Sequence, residues 1–537
     1  MEWSVRAVIF LLGFILACVF VIVPVRITPK TKKTAIFLDY STAPILIVLL
    51  LVASTCIPWV VVVRGILGKR APAWAVDETS TSYLVPYTVV VLFMALAYVC
   101  TSAEYTKCFV YIANKFSKAA LASKNPNILG LSLFTLLAAI FTLTTSNDIV
   151  VLTLTPIILE FSRKTDAHLL LPLLLAEFCS ANSFSAGLLS GNPSNIILAS
   201  VFRIDFITYL KYSLVPAIVS GCCVYAYSIL LARKNERAPK PAQASNEIEL
   251  ISAPSHVNEK ESKVESKVEM SEPKAVAPEK KEEEVELSRN GVLALLILLF
   301  LFCLFLCSTA ISNRWPSIEF WHISVFVLAV TLIKDCIFYR KSLGTIWTIT
   351  KALPWKVPLF LLSMFILVEG ASYYHFTTAI ADVLSKHVVA PVVRWGDLPV
   401  ALLFNLLTCL ACIVFNNLPA TIFITRIISE TSMRQALGDK TMIATFSTAA
   451  GTNFGACILP HASLAGLMWS SMVMNPPLLK KVWMHGTVIC LLLVVVCSVM
   501  LTLFSWIVLL VSLYHCIAHC VSSFLHDPHH HSKQTLH

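Results

Sequence analysis

The chain has 537 residues, of which 57% are hydrophobic and 13% are charged. No single soluble core buries that much apolar surface, so the composition defines a polytopic membrane protein. The net charge of +10 sits in short loops between apolar runs, where it sets membrane orientation and is no signal for nucleic acid.

In chain order, the spanning candidates of the first half are 7–25, 43–65, 83–103, 169–198 and 206–231. Those of the second half are 291–311, 320–339, 355–373, 441–472 and 483–512. The first run has no small-residue cleavage site behind it and is long enough to span, so it reads as a span and not as a cleaved signal. Residues 232–289 change character: EKESKVESKVEMSEPKAVAPEKKEEEVEL is rich in Glu, Lys and Pro and lacks aromatics. Such a segment buries too little apolar surface to offset chain entropy, and is expected to be a disordered cytosolic linker. The expected organisation is a first transmembrane repeat at 1–231, that linker, a second repeat at 290–512, and a His/Cys-rich tail at 513–537. Most of the 17 cysteines lie inside apolar runs and read as small buried hydrophobes.

Two segments, 129–161 and 398–430, are mostly apolar but interrupted by polar, turn-forming residues: Ser146-Asn147-Asp148 in one, Asn416-Asn417-Leu418-Pro419 in the other. One straight helix of that length would run about 50 Å against a hydrocarbon core of about 30 Å. A re-entrant hairpin fits the length; a single tilted, kinked helix is the alternative. The next segment of each half, 176–199 and 447–469, carries Ser, Asn, Gly and Pro through its centre. This predicts helices unwound near the midplane. TSNDIVVLTLTPII and FNNLPATIFITRII align with Asn147 on Asn417 and Thr155 on Thr425. The expected fold is therefore all-α: an inverted repeat of five spans each, with two re-entrant hairpins and two discontinuous helices. With the linker in the cytosol, Arg26, Lys30, Lys107, Lys115, Arg163, Lys164, Arg340 and Lys480 fall on one side, as the positive-inside pattern requires.

Hairpin tips and unwound helices expose helix ends whose partial charges bind ions, and Ser, Thr and Asn add neutral ligands from which a solute can leave again. Asp148 is either a functional intramembrane acid or the N-cap of the returning limb. The tail places His515 over His519 and Cys516 over Cys520 at helical spacing, a weak metal-site pattern that competes with lipidation. No nucleotide loop is present, which argues against a primary pump, though not against a separate ATPase partner.

The motifs TSNDIVVLTLTPII, LLSGNPSNIILA, KALPWKVPLFLLSMFILVEG, FNNLPATIFI and GTNFGACILPHASLAGLMW carry a resemblance. The sequence resembles the arsenical pump membrane protein and citrate-transporter-like members of the ion transporter superfamily, whose relatives include the P protein and silicon effluxers. The resemblance implies an elevator-type secondary transporter of an anion or oxyanion-like solute, not an enzyme. Arsenite efflux is the nearest analogy; a citrate or dicarboxylate carrier and an anion channel are the alternatives. It needs no cofactor beyond a coupling proton or sodium ion. Lipid bilayer, a small inorganic or organic anion and a homodimer are the implied partners, with the plasma membrane as location. Residues implied to bind solute or ion are Ser146, Asn147, Asp148, Asn182, Gly191, Asn192, Asn416, Asn417, Thr452, Asn453 and Ser463. Asn182 and Asn453 stand where arsenical pumps have aspartates, which weakens proton coupling there. Asp148, Glu177 and His461 are the candidates for coupling; His461 is either a group titrating near neutrality or a packed helix residue.

Overall fold

The computed structural model describes residues 4–23, 25–27, 36–72, 84–237, 286–340, 342–473 and 475–526. Most of the linker and the end of the tail, and the side chains of His515, Cys516, His519 and Cys520, lie outside the described residues. The proposed metal pattern therefore has no structural account.

The first half is built from α1 (Val5–Ile22), α2 (Thr42–Ala53), α3 (Trp59–Leu67), α4 (Pro86–Tyr105), α5 (Cys108–Leu121), α6 (Pro126–Thr144), α7 (Asn147–Lys164), α8 (Leu170–Ser185), α9 (Pro193–Phe202) and α10 (Phe206–Glu236). Strands β1 (Val25–Ile27) and β2 (Ile36–Leu38) pair antiparallel between α1 and α2. The second half has α11 (Arg289–Leu306), α12 (Ser308–Arg314), α13 (Phe320–Phe338), α14 (Leu343–Ala352), α15 (Lys356–Tyr373) and α16 (Phe376–Leu384). These are followed by α17 (Ala390–Val393), α18 (Asp397–Phe415), α19 (Asn417–Ser429), α20 (Thr431–Leu437), α21 (Thr441–Gly455), α22 (Leu464–Val473) and α23 (Pro476–His526). Ten helices among the described residues are long and apolar enough to cross a membrane. The chain is an all-α polytopic membrane protein.

Local chemistry sets the boundaries. Proline opens α4, α6 and α9 at a position where its missing N–H costs nothing. Asp205 caps α10 by accepting from the Ile207 and Thr208 amides at 3.0 and 3.1 Å. Three boundaries differ from expectation. The run 43–65 is two helices, because Thr55 adopts φ +56° and Pro58 restarts the chain. The last helix passes residue 512 without a break and continues to His526. His461 lies in a short 3₁₀ turn, Pro460–Ala462, and not in a helix.

Each interrupted apolar segment folds back on itself. In the first, Phe134 of α6 meets Phe161 of α7 edge-on, ring centroids 5.2 Å apart. In the second, Val400 and Phe404 of α18 share a cluster with Ile424 and Ile428 of α19. The turns fall at Thr145–Ser146 and at Asn416, which takes φ +71°. Asparagine tolerates that left-handed conformation better than most side chains. Each half also turns sharply before its amphipathic helix: Lys107 precedes α5 at φ +60° and His375 precedes α16 at φ +59°.

The broken helices exchange partners. The first piece of each packs on the hairpin of its own half, α8 on α6 and α7, α21 on α18 and α19. The second piece packs on the hairpin of the other half, α9 on α19 and α22 on α7. Gly451 permits the tightest of these approaches, since a Cβ there would lie 2.6 Å from the Asn405 carbonyl oxygen.

Candidate functional site

Two polar clusters lie where the breaks meet. In the first, Asn147 at the N-terminus of α7 donates through Nδ2 to Asn182 Oδ1 at 3.1 Å, and its Oδ1 accepts from the Asp148 amide at 3.0 Å. Asn182 in turn donates to the Phe178 carbonyl, 2.9 Å away. Asn453 is the hub of the cluster. Its Oδ1 accepts from Ser185 Oγ at 2.6 Å and Asn192 Nδ2 at 2.9 Å; its Nδ2 donates to Asn195 Oδ1 at 2.9 Å and to the Ala449 carbonyl at 2.8 Å. Asn195 spans the first break, donating to the Ser185 and Leu188 carbonyls at 2.7 and 2.8 Å. The Leu188 carbonyl also accepts from the Gly191 amide at 3.1 Å, so the Asn195 side chain reinforces the backbone bonding of the break. Thr452 reaches Ser194 at 3.4 Å. Gly191 lets the loop close: a Cβ there would sit 2.6 Å from the Ser185 carbonyl oxygen.

The second cluster holds the other tip. Asn416 donates through Nδ2 to the His461 carbonyl at 2.9 Å, and the His461 ring meets the Ile413 carbonyl through Nε2 at 3.1 Å. Ser463 caps α22 by accepting from the Gly466 amide at 2.9 Å. Asn417 is buried, and its Oδ1 has no hydrogen-bond partner among the described residues.

Nearly all of these groups are enclosed. Among the residues assigned from sequence, only Ser146, Asp148 and His461 keep partial exposure. Among the described residues the Asp148 carboxylate has no hydrogen-bond or ion-pair partner; its backbone amide is held by Asn147. Its charge reaches Tyr40, in the turn before α2: burial first, then the carboxylates of Asp39 and Asp148, push that hydroxyl up to about 12. Glu177 is fully buried, with Oε1 taking a 2.7 Å contact from Thr155 Oγ1 and Oε2 a 3.4 Å contact from Trp469 Nε1.

Arg426 does not reach either tip. It bonds Ser372 through Nη2 at 2.5 Å and stands 4.0 Å from Glu369 and 3.9 Å from Glu430. Glu369 is therefore part of a half-buried cluster joining α15 to the second hairpin. Sequence reasoning also missed Ser185 and Asn195, both hydrogen-bonded to Asn453. It missed a buried pair inside α13 as well: Lys334 and Asp335, 2.7 Å apart, bonded to Ser102 and Tyr98 of α4. Adjacent opposite charges in the run 320–339 were the available signal.

The apolar helices and their paired, polar-lined breaks define a multi-pass membrane transporter. The chain belongs to the citrate transporter family, whose model matches residues 1–451. It is 35% identical over 101 residues to a transporter named arsB from Dictyostelium discoideum; the match covers 19% of this chain and 18% of that protein. The chain thus spans about a fifth of the length of the curated relative it matches. Among solved structures, the Alcanivorax borkumensis YdaH transporter aligns over 94% of this chain and 97% of its own, with TM-score 0.44 and 13% identity.

Proposed function

We propose that the protein is a secondary active transporter of a small anion, coupled to protons or sodium and placed in the plasma membrane. The carrying observation is the set of four helix N-termini, those of α7, α9, α19 and α22, which open at the two polar clusters. Each presents positive partial charge, which favours an anion, and Asn147, Asn192, Asn416 and Ser463 cap one amide at each terminus. Neutral Asn, Ser and Thr side chains line them, so binding stays reversible. A buried amide oxygen without a partner costs about 1–3 kcal/mol, and Asn417 Oδ1 is such an atom; a bound solute or its water completes it.

In this reading the halves enter the membrane in opposite orientations, the hairpins are re-entrant from opposite sides, and the hairpins with the broken helices move as one unit against the remaining spans. Family membership supports a di- or tricarboxylate as the first substrate to test. Arsenite is the second, on the strength of the 101-residue match. With Arg426 held by Ser372, Glu369 and Glu430, carboxylate recognition falls to the helix N-termini and amides and not to a guanidinium clamp.

The test is accumulation of citrate and of arsenite in sealed inside-out vesicles, with and without a proton or sodium gradient. Saturable uptake of either solute that responds to a gradient supports the carrier. Linear, non-saturating flux with single-channel currents would make the protein a channel on the same fold.

A further inference from the structure

Glu177 occupies an unusual place. It is 0% exposed and lies on α8 between two elements from different halves, α7 and α22. Aromatic rings wall it in: Phe178 packs on Trp469 at 5.0 Å between centroids, and Trp469 on Trp483 at 5.5 Å. No ion pair reaches it among the described residues. The elements packed against this helix carry Asp148, Glu160, Arg163 and Lys164 (α7), His168 before α8, Tyr209, Lys211, Tyr212, Cys222, Cys223, Tyr225, Tyr227, Arg233, Lys234 and Glu236 (α10), and Lys480, Lys481, His485, Cys490 and Cys497 (α23), and among the described residues none of them bonds to Glu177. A carboxylate so enclosed, with only neutral partners, carries a heavy desolvation cost when charged.

Hydrogen counting sharpens the point. Thr155 Oγ1 lies 2.7 Å from Glu177 Oε1 and 2.6 Å from the Val151 carbonyl oxygen. A hydroxyl has one hydrogen to donate. If it goes to Glu177, the carboxylate is charged and accepts from Thr155 and Trp469. If it goes to Val151, the short contact to Glu177 needs a proton on the carboxyl group, which then donates to Thr155. The same heavy-atom positions serve both states, and rotation of one hydroxyl exchanges them. Binding adds one proton to Oε1 and moves the Thr155 hydrogen bond from Glu177 to Val151; release reverses both, with no other covalent bond made or broken.

We infer that Glu177, with Thr155 as a rotating relay and Trp469 as a fixed donor, is the proton-binding site of the transport cycle. The inference rests on the transporter reading and names its coupling ion. Thr155 sits on the returning limb of the first hairpin, and Trp469 on the second piece of the second broken helix. Asn182, on the same helix as Glu177, holds the first tip through Asn147. Loading Glu177 therefore neutralises the seam that joins both halves of the mobile unit before that unit crosses an apolar interior.

The experiment uses the full chain in lipid vesicles and two independent readouts. Infrared difference spectra of wild type minus Glu177→Gln at neutral pH should contain the carbonyl stretch of a neutral carboxylic acid, moved in frequency by Thr155→Val. Absence of that band overturns the inference. For transport, radiolabelled citrate and arsenite are followed in counterflow and under an imposed pH gradient, where one pH unit is worth about tenfold in accumulation per proton. In Glu177→Gln the ratio of gradient-driven uptake to counterflow should fall by about that factor. An unchanged ratio, or uptake driven by sodium and indifferent to pH, overturns it. If wild-type protein moves neither solute, the transporter reading loses its support, while the infrared band still decides whether Glu177 holds a proton.

Discussion

The two halves place matching backbone at their breaks and different chemistry on it. In the alignment that sets Asn147 on Asn417, Asp148 falls on Leu418; in the one that sets Asn182 on Asn453, Glu177 falls on Thr448. Both acids therefore belong to the first half, and the second half offers amides, hydroxyls and the His461 ring. The tips differ in bonding too. Asn147 is fastened to Asn182, whereas Asn417 keeps an unpartnered oxygen and its neighbour Asn416 is tied to the His461 carbonyl. On the proposed function, these differences divide the labour: ion coupling falls to the first half and solute contact to the second.

The largest effect expected from this division is at the tips. Asp148→Asn should abolish gradient-driven uptake while the protein still folds, because the partly exposed carboxylate accepts no hydrogen bond from the described residues. The reciprocal change, Leu418→Asp, puts an unpaired carboxylate at a site 2% exposed, at a cost of several kcal/mol. Size-exclusion profiles in detergent should show loss of folded protein. A folded, active Leu418→Asp variant would make the tips interchangeable and end the comparison.

Next come the clamps behind the amphipathic helices. The end of α4 is gripped by Lys334 and Asp335, 4% and 0% exposed. The end of α15 is instead gripped by Arg426 of the second hairpin. Asp335→Ala leaves Lys334 buried without its counter-charge and should lower stability by about 3–5 kcal/mol, read as a fall in unfolding temperature. Lys334→Met combined with Asp335→Leu should recover most of it. Failure of the double variant to recover would mean that Ser102 and Tyr98 need the carboxylate for their own sake. A weaker effect is expected at Asn417→Ala, which should raise KM by up to about tenfold, the equivalent of about 1.4 kcal/mol, with little change in maximal rate. An unchanged KM removes Asn417 from solute contact.

How far the sequence reveals this arrangement depends on whether a feature is local. The interruptions at 145–148, 186–193, 416–419 and 456–463 are visible because Asn, Gly, Pro and Ser stand out within apolar runs. The split of 43–65 had a signal in Ser54, Thr55 and Pro58, outweighed by the apolar residues around it. Lys334 and Asp335 cancel in net charge, and the apolar residues around them keep the mean hydropathy of the span high, so it reads as a plain spanning helix. The partners of Asn453 were beyond reach for another reason. Ser185, Asn192 and Asn195 come from the other half, and periodicity within a segment says nothing about which distant segment it will touch. The same limit hides Trp469 from Glu177.

The smallest effect tests whether matching positions share a role when their surroundings differ. Glu160 and Glu430 correspond in the hairpin alignment. Glu160 pairs with Lys164 at 2.9 Å, with the two side chains 50% and 44% exposed. Glu430 is 16% exposed, stands 3.9 Å from Arg426, and accepts from Thr377 and Thr378 at 2.9 and 3.2 Å. A one-turn ion pair in water is worth no more than about 0.5 kcal/mol, so Glu160→Gln should leave the unfolding temperature almost unmoved. Glu430→Gln removes an acceptor and a charge from a half-buried cluster and should cost about 1–3 kcal/mol. Because that cluster ties α15 and α16 to the second hairpin, the same variant should also change the rate of solute exchange. Equal, negligible losses at both sites would mean that the second cluster is as well solvated as the first, and that Glu430 does not fasten the second hairpin to α15 and α16.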